Sequence, residues 1–244
     1  MSAGADRPFH YDEIADAYAA GVDSAPYNAL YERPAMLGLL PPVSGARVLD
    51  AGCAAGWYTA RLAELGASVT ALDASAAMVE HARRRFASRE MAVLASRVEL
   101  RVADLRHPLS FAAGASFDGV VASLVLHYLR DWDATLTEFR RILKPAGWLL
   151  FSTHHPAAEA VRLKRPRYLE VESVEDDWKW VGRVRYYSRP LSAIVNALAT
   201  AGFAIEKLAE PLPNDEFRAS HPESYARLLT QPDFLLVRAR PWRL

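Results

Sequence analysis

The sequence predicts an α/β protein built on a mostly parallel sheet of seven strands with helices on both faces, and three observations predict it. Apolar runs of strand length alternate with stretches of helical periodicity over most of the chain. A glycine turn, VLDAGCAAGWYT at 48–59, joins the first such run to the first helical stretch. Acidic residues close the next two runs, in ALDAS and VADL, which gathers polar chemistry along one edge of the sheet. At 244 residues, 51% of them hydrophobic, the chain can bury one substantial core.

Each element follows from local pattern. Strands are expected at 47–51, 68–72, 98–103, 117–122 and 148–153, all rich in valine, leucine or phenylalanine. A helix over 56–65 stops at Gly66, the αL residue past its end. Ser75 caps the next helix, which places Met78, Val79, Ala82 and Phe86 on one face and leaves most of HARRRF at 81–86 as a solvated basic face. After Asp131, Trp132, Leu136, Phe139 and Leu143 recur at helical spacing until KPAG at 144–147. The segment RYLEVESVEDDWKWVGRVRYY at 167–187 reads as an inserted hairpin with an acidic turn at 175–177. In RPLSAIVNALATAG, Pro190 and Gly202 bracket a further helix, and FAIEKLAE and DFLLVRAR supply the last two strands. The N-terminal forty residues read as helices laid outside the sheet as a lid.

Composition narrows the function classes. Lysine plus arginine and aspartate plus glutamate number 29 each, so there is no electrostatic footprint for nucleic acid or an anionic membrane, and a small neutral partner is favoured. No signal-peptide pattern opens the sequence and no apolar run reaches membrane-span length, so a cytoplasmic protein is expected. Cys53 is the single cysteine, no histidine and cysteine spacing suits zinc, and no metal is expected.

The glycine turn carries the functional argument. A strand that ends in such a turn and feeds a helix aims backbone N–H groups at a ligand above the sheet edge. For NAD the pattern is G-x-G-x-x-G, but here the spacing is G-C-A-A-G and the pyrophosphate glycine is missing. Asp50 before the turn would repel a diphosphate and accept an ammonium group. Asp73, about twenty residues past the turn, is placed to accept both ribose hydroxyls. Asp104 follows the third strand, where it can accept from an adenine amino group. Turn and acids together describe a nucleoside with an amino-acid tail, and S-adenosylmethionine fits that description.

VLDAGCAAGWYT, ALDAS, VADL, FDGVVASLVLHYLRDW and LKPAGWLLFSTHHP resemble, in order and spacing, the motifs of class I S-adenosylmethionine-dependent methyltransferases of the small-molecule type. The resemblance implies a Rossmann-like fold and methyl transfer to an oxygen, nitrogen or carbon of a small-molecule acceptor, with S-adenosylhomocysteine as co-product. It implies a cofactor set of Tyr18, Asp50, Gly52, Cys53, Gly56, Asp73, Ala74, Met78, Ala103, Asp104, Leu105, Ser123 and Leu124. His127 would stand at the mouth of the methyl channel as base or substrate contact, with His155 preferred over His154 as a second catalytic residue. Four segments follow from it: a lid over 1–44, a cofactor-binding core over 45–155, a cap over 156–189 and C-terminal elements over 190–244, in a monomer or homodimer. Trp178, Trp180, Tyr186, Tyr187 and Arg189 either wall the acceptor pocket or simply pack the hairpin. Two alternatives share the sheet: a protein that binds the cofactor without methyl transfer, as a cyclase or interaction partner, and a nicotinamide-dependent oxidoreductase.

Overall fold

A computed structural model describes residues 11–178 and 181–242. The expected strands form, with their ends adjusted by pairing: β1 (Arg47–Ala51), β2 (Ser68–Asp73), β3 (Val98–Val102), β4 (Phe117–Ser123) and β5 (Leu143–His154). β5 starts earlier than its apolar run because Leu143 already pairs with Phe117. β8 (Phe203–Ala209) and β9 (Phe234–Pro241) complete a seven-stranded sheet in the order β3-β2-β1-β4-β5-β9-β8. Only β9 runs against its neighbours. The strand order reverses between β1 and β4, which is where an open α/β sheet leaves a crevice at its carboxyl edge.

Helices cover both faces. On one side α5 (Asp133–Ile142) and α7 (Leu191–Thr200) bring Leu136, Phe139, Ile194 and Leu198 onto Phe117, Leu149 and Phe151. On the other, α2 (Arg33–Leu39) and α3 (Trp57–Glu64) set Met36 and Leu62 against Val48, Val69 and Leu150, joined by Phe217 and Leu228 from two short helices, α8 (Asp215–Ser220) and α9 (Pro222–Leu228). Each such side chain stabilises the fold by roughly 1.5–3 kcal/mol, so these layers hold the site's edge in place. α4 (Ala76–Ala87) begins as expected, with Ser75 Oγ accepting the Met78 N–H at 3.1 Å.

β6 (Glu172–Trp178) and β7 (Gly182–Ser188) form a separate two-stranded hairpin. Its acidic residues lie inside β6 rather than at the turn: Glu175 pairs with Arg185, and the reversal comes after Trp178, beside Gly182 at φ +93°. Strand register puts Val174, Trp178 and Tyr186 on one face and Tyr187 on the other, so the expected aromatic cluster divides. Trp180 lies outside the described residues. The inner face meets Ile14, Tyr18 and Tyr128, bringing the hairpin together with α1 (Ala15–Gly21).

Candidate active site

A cavity opens beyond the carboxyl ends of β1, β2, β3 and β4. Tyr18, Gly52, Asp73, Ala74, Met78, Ala103, Asp104, Leu105, Ser123 and Leu124 line it, whereas Asp50, Cys53, Gly56, His127 and His155 do not. Gly52 has φ +77°, and a Cβ there would stand 2.4 Å from Val125 Cγ2; both the backbone and the close approach require glycine. Gly56, at φ +82°, is instead the N-cap of α3. The N–H groups of Gly52 and Cys53 donate to Leu72 O at 2.8 and 2.9 Å, that of Gly56 to Cys53 O at 2.9 Å, and that of Ala54 to Asp73 Oδ2 at 2.9 Å. The expected display of free donors is therefore corrected: these amides bind within the protein, and the turn offers shape. Ala54 and Leu124, both non-glycine residues at φ +46°, line the cavity, a backbone cost of about 1–3 kcal/mol each. Cys53 is buried behind the turn, and burial pushes its thiol pKa well up, so the sulfur stays neutral.

The three acids have different surroundings. Asp73 faces the cavity with Oδ2 on the Ala54 N–H and Oδ1 on the Ser75 N–H, each at 2.9 Å. Burial raises its pKa against the pull of those amides. Asp50 is 1% exposed and turned toward α3, where Thr59 Oγ1 donates to its Oδ2 at 2.6 Å. Burial pushes its carboxyl up to about 7, with the Thr59 hydrogen bond opposing. Direct contact of Asp50 with a ligand is thus replaced by a place beneath the turn, because its side chain points at the helix that the turn feeds. Asp104 lines the cavity with its oxygens 3.0 and 2.9 Å from Arg106 Nε. Burial would raise this carboxyl, but the hydrogen bonds and charge of Arg106 outweigh it and hold it below its ordinary range.

The histidines are rearranged too. His127 is 2% exposed, and Tyr128 takes the cavity wall in its place. They share the 3₁₀ turn Leu126–Tyr128, in which successive side chains fan out about 120° apart. Neither ring nitrogen of His127 has a hydrogen-bond partner among the described residues. Burial, then His154 and Arg189, push its pKa well down. His155 is the N-cap of α6 (Pro156–Arg162): its Nδ1 accepts the Ala158 N–H at 3.2 Å and its Nε2 lies 2.7 Å from Glu210. The inward residue is His154, stacked on His127 with centroids 4.3 Å apart. Proline after His155 signals a helix start, and that signal marks His155 as a cap.

Further residues complete the site: Tyr11 recurs with Ile14 and Tyr18 at helical spacing, which suits a core stripe as well as a lid, and the others carry no individual signal in the sequence. Tyr11 and Tyr128 line the cavity and hydrogen-bond through their hydroxyls. Arg85, within the basic run, donates Nε to Ala55 O at 2.7 Å and Nη2 to Asp23 at 2.6 Å, tying the turn to the N-terminal segment. Glu32 is fully buried and accepts from Ser152 at 2.6 Å and from Tyr58 and Ser123 at 2.8 Å. Burial raises its pKa against those three hydroxyls. Among the described residues no cluster of three or more metal-binding side chains occurs, and no helix is long and apolar enough to cross a membrane.

A family described as a methyltransferase domain matches residues 49–151. An S-adenosylmethionine-dependent methyltransferase from Mesorhizobium loti has a solved structure 33% identical to this chain, covering 90% of it and 100% of that protein, with a TM-score of 0.73. A malonyl-[acyl-carrier protein] O-methyltransferase of Erwinia pyrifoliae is 33% identical over 67% of this chain and 56% of its own length. A ubiquinone biosynthesis O-methyltransferase of Xanthomonas oryzae is 36% identical over 52% of each. The chain therefore spans about half the length of these two relatives. Matching order, sheet and carboxyl-edge cavity converge, and the chain belongs to the class I S-adenosylmethionine-dependent methyltransferases.

Proposed function

We propose that this enzyme methylates a small-molecule acceptor at the cavity beside Gly52. The single observation that carries the reading is Asp73. A carboxylate offers about four acceptor positions; the Ala54 and Ser75 amides take one on each oxygen and the Ala74 amide also acts on the group, and the side of the carboxylate that faces the cavity is the acceptor for a ribose diol. The other lining residues fit the rest of the cofactor: Leu72, Met78, Ala103 and Leu105 are apolar surfaces for an adenine, and Asp104 is the acceptor near its amino group. Gly52, Ala74, Ser123 and Leu124 shape the passage, while Asp50, Cys53 and Gly56 support the turn from behind. Tyr18, with Tyr11 and Tyr128, forms an aromatic cover.

When bound, S-adenosylmethionine supplies a methyl group already activated by its sulfonium. The chain's contribution is then orientation and exclusion of water, worth on the order of 7–11 kcal/mol when the reacting atoms are held in line. His127 lies behind Tyr128 and not on the cavity wall, with no partner for either ring nitrogen among the described residues, and it is read as a contact for an acceptor that reaches past Tyr128, since a ligand there relieves a buried polar group left unmade. The lid, core, cap and C-terminal divisions at 44, 155 and 189 are read as one domain working in the cytoplasm as a monomer or homodimer. The two O-methyltransferase relatives support an oxygen acceptor.

Removing Asp73 tests the assignment. Asp73→Ala is expected to weaken S-adenosylmethionine binding by about 10²- to 10⁴-fold by calorimetry, the value of two charged hydrogen bonds, with circular dichroism unchanged. Wild-type affinity in that variant overturns the ribose assignment.

A further inference from the structure

The carboxyl end of β5 carries a second polar assembly, one step away from the cofactor cavity. His154 ends the strand, two positions past Ser152, whose register partner Ser123 lines the cavity. Its Nδ1 lies 3.1 Å from Glu159 Oε1 on α6. Glu159 is 5% exposed; its other oxygen takes the Ser188 hydroxyl, which in turn accepts from Arg165 Nη1 at 2.6 Å. Burial alone would raise the Glu159 carboxyl, yet the hydrogen bond and charge of His154 hold it below its ordinary range. A carboxylate accepts only, so Nδ1 of His154 is the donor in this contact, and whenever the ring is neutral its lone pair is on Nε2.

What surrounds the ring decides which imidazole can gain a proton. His127 stacks on it at 4.3 Å and 17°, Tyr186 meets it edge-on at 4.6 Å, and the rings of Trp178 and Phe234 stand 6.0 and 6.4 Å away. The titratable groups nearest His154 are His127 from the 3₁₀ turn, Glu159 from α6 and Tyr186 from β7, with Asp176 of β6 behind them, accepting from Tyr186 Oη at 3.4 Å and Trp178 Nε1 at 3.3 Å; the rings of Trp178 and Phe234 carry no charge. Arg162 reaches Tyr186 Oη at 3.1 Å, and Arg189, 2.5 Å from Leu129 O, acts on His127. Two stacked imidazolium ions would repel strongly in this setting. Of these two rings, His154 alone has a carboxylate partner among the described residues to compensate a new charge.

We infer that His154, oriented by Glu159, is the general base for an acceptor that presents a phenolic or enolic hydroxyl within these aromatic walls. A carboxylate acceptor is already ionised and needs no base, so a buried imidazole and carboxylate pair would be idle for it. In the step, the hydroxyl proton passes to His154 Nε2 as an oxygen electron pair forms the new bond to the methyl carbon. The methyl's bond to sulfur breaks with its electron pair left on sulfur, and the imidazolium, stabilised by Glu159, returns its proton to water. Glu159 is a positioning residue. The inference rests on the cofactor reading above, because the methyl donor must reach this side of Tyr128.

Calorimetry with S-adenosylmethionine on the full chain first separates the two: absent binding overturns the cavity reading, not the dyad. Imidazole nitrogen NMR of the S-adenosylhomocysteine complex is expected to show His154 protonated at Nδ1, and the Nε2–H form overturns the dyad whether or not any probe is methylated. With labelled cofactor and catechol, benzoate or aniline as probes, label is expected on catechol oxygen; label on benzoate alone overturns the acceptor class. His154→Asn should lower kcat about 10²- to 10⁴-fold. Glu159→Gln should lower kcat roughly 10- to 100-fold with KM little changed, and should move the acidic limb of the pH profile to lower pH. An unmoved limb in Glu159→Gln removes its positioning role.

Discussion

Asp50 shows how a single side chain couples pH to stability. Its carboxyl rises from an ordinary 3.8 to about 7 because burial penalises the charge. A folded-state pKa above the unfolded value favours folding below pH 4, and that contribution is lost as pH climbs toward 7. The span corresponds to on the order of 4 kcal/mol. Asp50→Asn keeps a carbonyl for Thr59 but cannot ionise, so it is expected to gain a few kcal/mol over the wild type at pH 8 and little near pH 4. Urea unfolding of the cofactor-free proteins checks this; parallel pH profiles would refute it. At this scale the sequence was only partly legible. The placement of Asp73 and Asp104 at strand ends could be read from spacing, but the orientation of Asp50 toward Thr59 depends on how α3 leaves the turn. Glu32 has no motif at all, and becomes notable only where folding gathers Tyr58, Ser123 and Ser152 around it.

Among the elements, the glycine turn is the least tolerant. Gly52→Ala meets both a left-handed φ of +77° and Val125 at 2.4 Å. The expected result is a loss of about 1–3 kcal/mol from the backbone alone, together with a narrowed cavity. Thermal unfolding and calorimetry should show lower stability and weakened cofactor affinity; wild-type affinity would show that the turn's shape is dispensable. Strands and their edge were legible because a parallel sheet buried on both faces leaves continuous apolar runs. The hairpin turn was not, since Glu175 and Asp177 resemble loop residues until cross-strand arginines at 185 and 183 face them. His154 and His155 were exchanged for a similar reason: adjacent residues at a strand end point in different directions, and the cap role of His155 takes it out of the site.

Over the whole molecule, the N-terminal segment with Tyr11 and Tyr18, the carboxyl edge of the sheet and the 3₁₀ turn with Tyr128 meet around one cavity, so ligand binding should be felt as global stability. At one hundred times its dissociation constant, a ligand specific for the folded state adds about 2.7 kcal/mol. For a chain of this size that corresponds to a rise in Tm of roughly 5–10 °C. S-adenosylmethionine is expected to produce it and NAD to leave Tm unchanged; an equal rise with NAD would favour the oxidoreductase alternative. The amides around Gly52 add a final consequence. Since Leu72 and Asp73 already occupy those of Gly52, Cys53 and Ala54, vacating the cavity leaves these three donors paired. On the proposed reading, the scaffold sheds a used nucleoside and awaits a fresh one without rebuilding this part of the floor, and exchange between turnovers is expected to depend on the aromatic cover of Tyr11, Tyr18 and Tyr128.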